Sequence, residues 1–94
     1  MKKTYTINLS GKIFHIDEDA LEKLQEYINT LKTYYTQEED GNEIMDDIEN
    51  RIGELFTENL KGQFREVITL DDVDQAIATM GTPDDIIDED EQPR

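Results

Sequence analysis

The chain has no cysteine, no tryptophan, only two prolines, and only nine lysines and arginines among its 94 residues. Without cysteine there is no disulfide, no thiolate nucleophile and no zinc–thiolate site. Without tryptophan, the interior must be built from Ile, Leu, Phe, Tyr and Met. No stretch nears the roughly 20 apolar residues that span a bilayer. Met1-Lys2-Lys3 opens like a secretion signal, but Thr4-Tyr5-Thr6-Ile7-Asn8-Leu9-Ser10 then alternates where an apolar run is needed, so no signal peptide is expected. The shortage of basic residues weighs most. Twenty-four acidic residues give a formal net charge of −15. Such a surface repels nucleic-acid phosphates and anionic lipid heads. It suits a basic protein surface, or serves solubility alone.

A chain of this length forms one domain and buries roughly 60–65% of its unfolded surface. Its hydrophobic fraction is 35%, so part of it must be solvated tail or polar helix face. We expect a single domain over residues 1–86 and a charged tail or linker over 87–94.

Tyr5, Ile7 and Leu9 alternate with Thr4, Thr6 and Asn8, a period of two that reads as a strand. Ser10-Gly11 supplies a tight turn, and Lys12 to Ile16 reads as a second strand. The covered face of this hairpin would be Tyr5, Ile7, Leu9, Phe14 and Ile16, with Ile13 and His15 on the other side. Asp17 is a good N-cap. Leu21, Leu24, Ile28, Leu31 and Tyr35, with Tyr27 and Tyr34 alongside, mark an amphipathic helix over about Glu18 to Tyr35. A polar loop from Thr36 to Asn42 leads to a second helix over about Glu43 to Leu60, with its apolar stripe on Ile44, Met45, Ile48, Ile52, Leu55, Phe56 and Leu60. Gly62 is its natural stop. Gly53 within it costs up to ~1 kcal/mol relative to Ala, which implies close packing against a neighbouring helix or strand. Val67-Ile68 is a short strand able to pair with an edge of the hairpin. Thr69 caps a third helix with Asp72 at N3, Val73, Ala76, Ile77 and Met80 on its apolar face and Gly81 at its end. Thr82-Pro83-Asp84-Asp85 can open one more turn. Tyr34, Tyr35 and Phe64 are expected in the core. The fold class is α+β, in the order β-β-α-α-β-α.

The inventory of reactive groups is short. Ser10 sits in a turn and His15 on an exposed strand face, whereas a hydroxyl nucleophile needs a base and an orienting group within reach. Carboxylates are too abundant for any pair to be a signal. We therefore expect no enzyme, no catalytic or cofactor-binding residue and no small-molecule substrate. A calcium loop centred on Gly41 would place Thr36, Glu38 and Asp40 at its first ligand positions and Asp47 at the twelfth. Asp belongs first and Glu last, and Glu43 falls where an apolar residue belongs, so no metal site is expected. A helix-turn-helix reading would make the third helix the reader. It carries Asp71, Asp72 and Asp74 at the end that meets DNA, and no lysine or arginine. Arg51 is the cation that stands out, with Asp47 four residues before it and Glu54 three after.

Three segments together resemble a known family: Phe14-His15-Ile16-Asp17-Glu18-Asp19-Ala20-Leu21-Glu22-Lys23-Leu24, then residues 43–56 (EIMDDIENRIGELF) and residues 67–83 (VITLDDVDQAIATMGTP). They are similar to the N-terminal cytosolic region of phage shock protein C-type membrane proteins of Bacteroidetes-like bacteria, over about residues 1–86. The resemblance implies a cytoplasmic module that precedes a membrane-spanning segment in a protein tied to envelope stress. Such proteins are often labelled stress-responsive transcriptional regulators. That membrane segment is not among these residues, so the chain is either a domain of a longer protein or one that stands alone. The family carries over no site residue.

The expectation is thus a non-catalytic regulatory protein-interaction domain whose partner has a basic surface or is another copy of the chain. The alternative is a DNA-binding or DNA-mimicking regulator domain, and the charge argues against direct contact with nucleic acid. If the acidic surface repels itself, raising the salt concentration from zero to about 0.2 M should raise the melting temperature. A midpoint that falls over that range contradicts an unpaired acidic surface.

Overall fold

A type I′ turn brings the first two strands together. Ser10 (φ 52°) and Gly11 (φ 90°) both take positive φ, which matches the right-handed twist of a two-residue hairpin. The Asn8 side-chain oxygen accepts a bond from the Gly11 N–H at 2.8 Å. In this computed structural model, which describes residues 3–83 and 86, β1 (Thr4–Leu9) runs antiparallel to β2 (Lys12–Asp17), with Ile7 opposite Phe14 and Leu9 opposite Lys12. The expected tail over 87–94 lies outside the described residues.

Helix α1 (Glu18–Tyr35) follows β2 directly. Asp17 stands at its N-cap, but the side chain makes no capping bond. Asp19 instead accepts the Ala20 N–H at 2.8 Å. Helix α2 (Gly41–Gln63) is longer than the periodicity predicts at both ends. Strand β3 (Val67–Ile68) pairs parallel to β2, His15 with Val67 and Ile16 with Ile68, so the sheet order is β1-β2-β3. Helix α3 (Leu70–Met80) ends at Gly81 (φ 101°). Beyond it the Ile86 N–H bonds to the Thr82 carbonyl at 3.1 Å, as one helical turn requires.

The architecture is a three-stranded sheet with helices against one face, the α+β arrangement predicted. Leu9, Phe14, Ile16 and Ile68 meet Leu24, Leu31, Ile48, Ile52, Phe56 and Val73 in one core. Phe14 and Phe56 pack edge to face at 5.7 Å between centroids. Tyr27 is buried where Ile28 and Leu21 are half-buried. Its hydroxyl donates to the Gly81 carbonyl at 2.7 Å, which fastens the end of α3 to the middle of α1. Burial pushes that hydroxyl up to about 12. The opposite face of the sheet, with Thr4, Thr6, Asn8, Ile13 and His15, is uncovered.

Four expectations are corrected. Tyr5 is not in the core: it lies at the sheet margin, 39% exposed, and donates to Glu18 Oε2 at 3.0 Å. Gly41 is not in a loop. It is the first residue of α2, buried so tightly that a Cβ would stand 1.7 Å from the Tyr35 carbonyl oxygen. The glycine is needed there for close approach of two helix ends. Gly62 does not stop α2, which continues to Gln63 and ends at Phe64 in the left-handed region (φ 53°, ψ 43°). The Arg65 N–H reaches back to the Leu60 carbonyl at 3.0 Å and the Phe64 N–H to Lys61 at 3.4 Å, the Schellman pattern with phenylalanine where glycine is usual. And Phe64 is not core: it is 96% exposed, while Tyr35 is buried and Tyr34 half-buried.

Gly53 is buried against the hairpin, and its Cβ position lies 3.5 Å from Lys12 Cδ and 3.7 Å from Phe14 Cε2, ordinary contact distances. These geometries rank three substitutions. Gly41→Ala should destabilise by about 1–3 kcal/mol or more through overpacking. Gly53→Ala should be neutral or stabilising by up to ~1 kcal/mol. Phe64→Gly should stabilise by about 0.5–1 kcal/mol, since relief of left-handed strain exceeds the extra entropy a glycine loses. Urea unfolding of the three variants checks the order, and a Gly41→Ala protein as stable as wild type contradicts the packing described.

Candidate functional site

The residues that sequence reasoning weighed for chemistry do not converge. Ser10 is in the hairpin turn. His15 is exposed on the open sheet face, its Nδ1 3.3 Å from Thr6 Oγ1. Thr36, Glu38 and Asp40 lie at the end of α1 and in the loop after it, and Gly41 is packed under Tyr35 and unable to form a ligand loop. Among the described residues no three His, Asp or Glu side chains gather as a metal site would require. Arg51 makes an exposed pair with Glu54 at 3.8 Å, a contact worth at most a few tenths of a kcal/mol.

The cation that matters is Arg65. Asp72, at the third position of α3, is 1% exposed. It lies on the stripe that buries Val73 and Ala76, where a carboxylate must find partners. Arg65 donates to both its oxygens, Nη1 to Oδ2 at 2.8 Å and Nη2 to Oδ1 at 2.6 Å. The Thr69 N–H donates to Oδ2 at 2.9 Å and the Thr69 hydroxyl at 3.1 Å, within a capping box. Arg65 Nη1 also reaches the Val67 carbonyl at 3.3 Å. Burial alone would raise the Asp72 carboxyl. The bonds from Arg65 and Thr69 outweigh it and hold the group below the usual carboxylate range. The Arg65 guanidinium is correspondingly raised by its bond to Asp72. The arrangement is structural: it joins the end of α2, strand β3 and the start of α3. The acidic end of α3 is therefore not a uniform exposed cluster. Asp72 points inward, and Asp74 is paired with Lys23 from α1. The signal for Arg65 was present in the sequence, as a carboxylate on an apolar helix stripe with a guanidinium seven residues upstream.

Beside this junction lies a groove of about 540 Å3 between the hairpin and the end of α2, walled by Ile13, Phe14, Thr57, Leu60 and Phe64. Lys61, Arg65 and Glu66 supply its charges. Ile13 is 59% exposed and Phe64 nearly fully so. A second cavity of about 280 Å3, between α1 and α3, is lined by Lys23, Glu26, Tyr27, Thr30, Ile77 and Pro83. The charge of the molecule is segregated along the chain, since all twenty-four acidic residues stand at or after Asp17 and the hairpin before it carries only cations. Among the described residues no helix is long and apolar enough to cross a membrane. No protein-family model, curated protein or solved structure matches the chain.

A carboxyl held below its unfolded value of about 3.9 contributes stability above that pH and loses it as the pH falls through the folded value. Asp72→Ala should therefore cost about 2–3 kcal/mol at neutral pH, through the lost cap and the emptied partner positions. The difference from wild type should narrow below about pH 4. Denaturant unfolding of both proteins across pH 3–7 tests this, and a pH-independent difference contradicts the charged pair.

Proposed function

We propose that this chain is a non-catalytic regulatory domain that docks a protein with a basic surface onto the acidic outer faces of α1 and α2. One observation carries the reading. Glu22, Glu26, Glu43, Asp46, Asp47 and Glu58 are exposed along these helices. Three cations that would offset them, Lys23, Arg51 and Arg65, are engaged by Asp74, Glu54 and Asp72. The field that remains is strongly negative and steers a basic partner.

The same charge speaks against a DNA reader. Helix α3 has no lysine or arginine, and Asp71 and Asp74 remain exposed at its N-terminal end. A partner that itself binds DNA through a basic surface fits the reading, with this domain standing in for the phosphates. The similarity of residues 14–24, 43–56 and 67–83 to phage shock protein C-type proteins supports a setting at the cytoplasmic side of a membrane stress protein, in which the domain reports by binding.

Affinity capture with wild-type protein and an Asp46→Asn/Asp47→Asn variant tests the proposal. The wild type should retain a partner at low salt and release it at about 0.5 M, and the variant should retain less. Capture of nothing above background, or equal capture by both, contradicts it. So does a low-salt gel shift of duplex DNA, where electrostatic binding is strongest.

A further inference from the structure

The sheet order β1-β2-β3 leaves β1 at an edge, and among the described residues no strand pairs with its outer side. The hairpin register fixes which groups are left there. A two-residue turn makes Leu9 and Lys12 a hydrogen-bonded pair, and bonded pairs recur at every second position, at Ile7 with Phe14 and Tyr5 with Ile16. The bond from the Glu18 N–H to the Lys3 carbonyl at 2.9 Å continues the same alternation. The backbone N–H and C=O groups of Thr4, Thr6 and Asn8 therefore point away from β2, in a row that can take another strand. Edge strands are ordinarily blunted by a charge, a proline or a bulge. Thr4–Leu9 has no charged residue, proline or glycine, and its register with β2 is unbroken. On the helix side this margin is open as well: Tyr5 is 39% exposed and Ile7 half-buried.

We propose that this edge pairs antiparallel with β1 of a second copy, about a two-fold axis between the two Thr6 residues. The strand is complementary to itself. With Thr6 opposite Thr6, Thr4 lies opposite Asn8, and each free N–H and C=O of these residues finds a partner. The same register sets Tyr5 against Ile7 of the second copy as a non-bonded pair, where side chains come closest. An aromatic–aliphatic contact then closes the half-open margin on the helix side. The axis is normal to the sheet, so both helix layers lie on one side of a continuous sheet of order β3-β2-β1-β1-β2-β3. Charge selects the same contact. On a molecule of net charge −15 every carboxylate stands at or after Asp17, so the hairpin is where two copies can meet without setting carboxylate against carboxylate. Glu18, beside Tyr5, is already engaged by its hydroxyl at 3.0 Å. One strand a side is a small contact, and the association is accordingly weak. The inference goes beyond the docking of a basic partner, since it leaves the outer faces of α1 and α2 free. Salt separates the two: it releases a basic partner, but tightens this dimer by screening the repulsion between copies.

Sedimentation equilibrium and amide hydrogen exchange of the full chain test it. In about 0.15 M salt the weight-average mass should rise toward that of a dimer over about 0.05–1 mM protein. The Thr4, Thr6 and Asn8 amides should gain protection with it, and about 0.5 M salt should strengthen the association. Thr6 is exposed, so Thr6→Lys and Thr6→Glu should keep the fold and its melting temperature. Each sets like charges face to face at the axis and should weaken association at least about fivefold. Mixing the two variants should restore it, because Lys then faces Glu, and a merely loosened strand cannot produce that rescue. A strictly monomeric wild type would overturn the proposal and leave the edge to a foreign strand. Protection of these amides already in the dilute monomer would overturn it by showing that the chain covers its own edge. So would association that weakens with salt, or a mixture of the two variants no more associated than either alone.

Discussion

A carboxylate that cannot stay buried alone organises one end of this molecule. Asp72 belongs to the apolar side of α3, and its burial is tolerable because Arg65 and Thr69, with the Asn59 amide at 3.5 Å, occupy its lone pairs. Arg65 is fixed at both ends, its backbone N–H by Leu60 and its guanidinium by Asp72. The chain must therefore reverse between Gln63 and Arg65, and Phe64 takes the left-handed conformation that makes the reversal. A pair of this kind is weak evidence for stability, because apolar replacements of equal shape are often as stable. Its value here is positional: it states where α2 ends, where β3 meets β2 and where α3 begins.

From that constraint the surface follows. With Arg65 turned inward to Asp72, the ring of Phe64 is left outside, next to Ile13 of the open sheet face, and an apolar groove forms between the hairpin and the end of α2. The helices behind it carry the acidic excess. The domain thus presents an exposed apolar groove beside helices whose outer faces are acidic.

Much of the fold was legible because local patterns and tertiary packing agree. The period-two strands with Ser10-Gly11 between them, the stripe of α1, the short β3 and the Thr69 cap with Asp72 at N3 all reappear in the structure. What was misread depends on contacts between distant segments. Gly41 reads as a loop glycine until Tyr35 is placed over it. Gly62 reads as a helix stop, yet the stop is set two residues later by what Arg65 must reach. Arg51 drew attention through its neighbours on its own helix, while the consequential guanidinium pairs across a turn and a strand. Phe64 was assigned to the core on hydrophobicity alone, and no local pattern reveals that its backbone holds it outside. The groove was invisible for the same reason.

Native-state hydrogen exchange of an Arg65→Met variant addresses the central claim most directly, because it reports each segment separately. If Arg65 and Asp72 fix the junction, the amides of Ile68, Val73 and Ala76 should lose protection first and furthest, while those of Phe14, Leu24 and Leu31 keep theirs. Uniform loss across the molecule, or unchanged protection in β3 and α3, would show that the junction is held by something else.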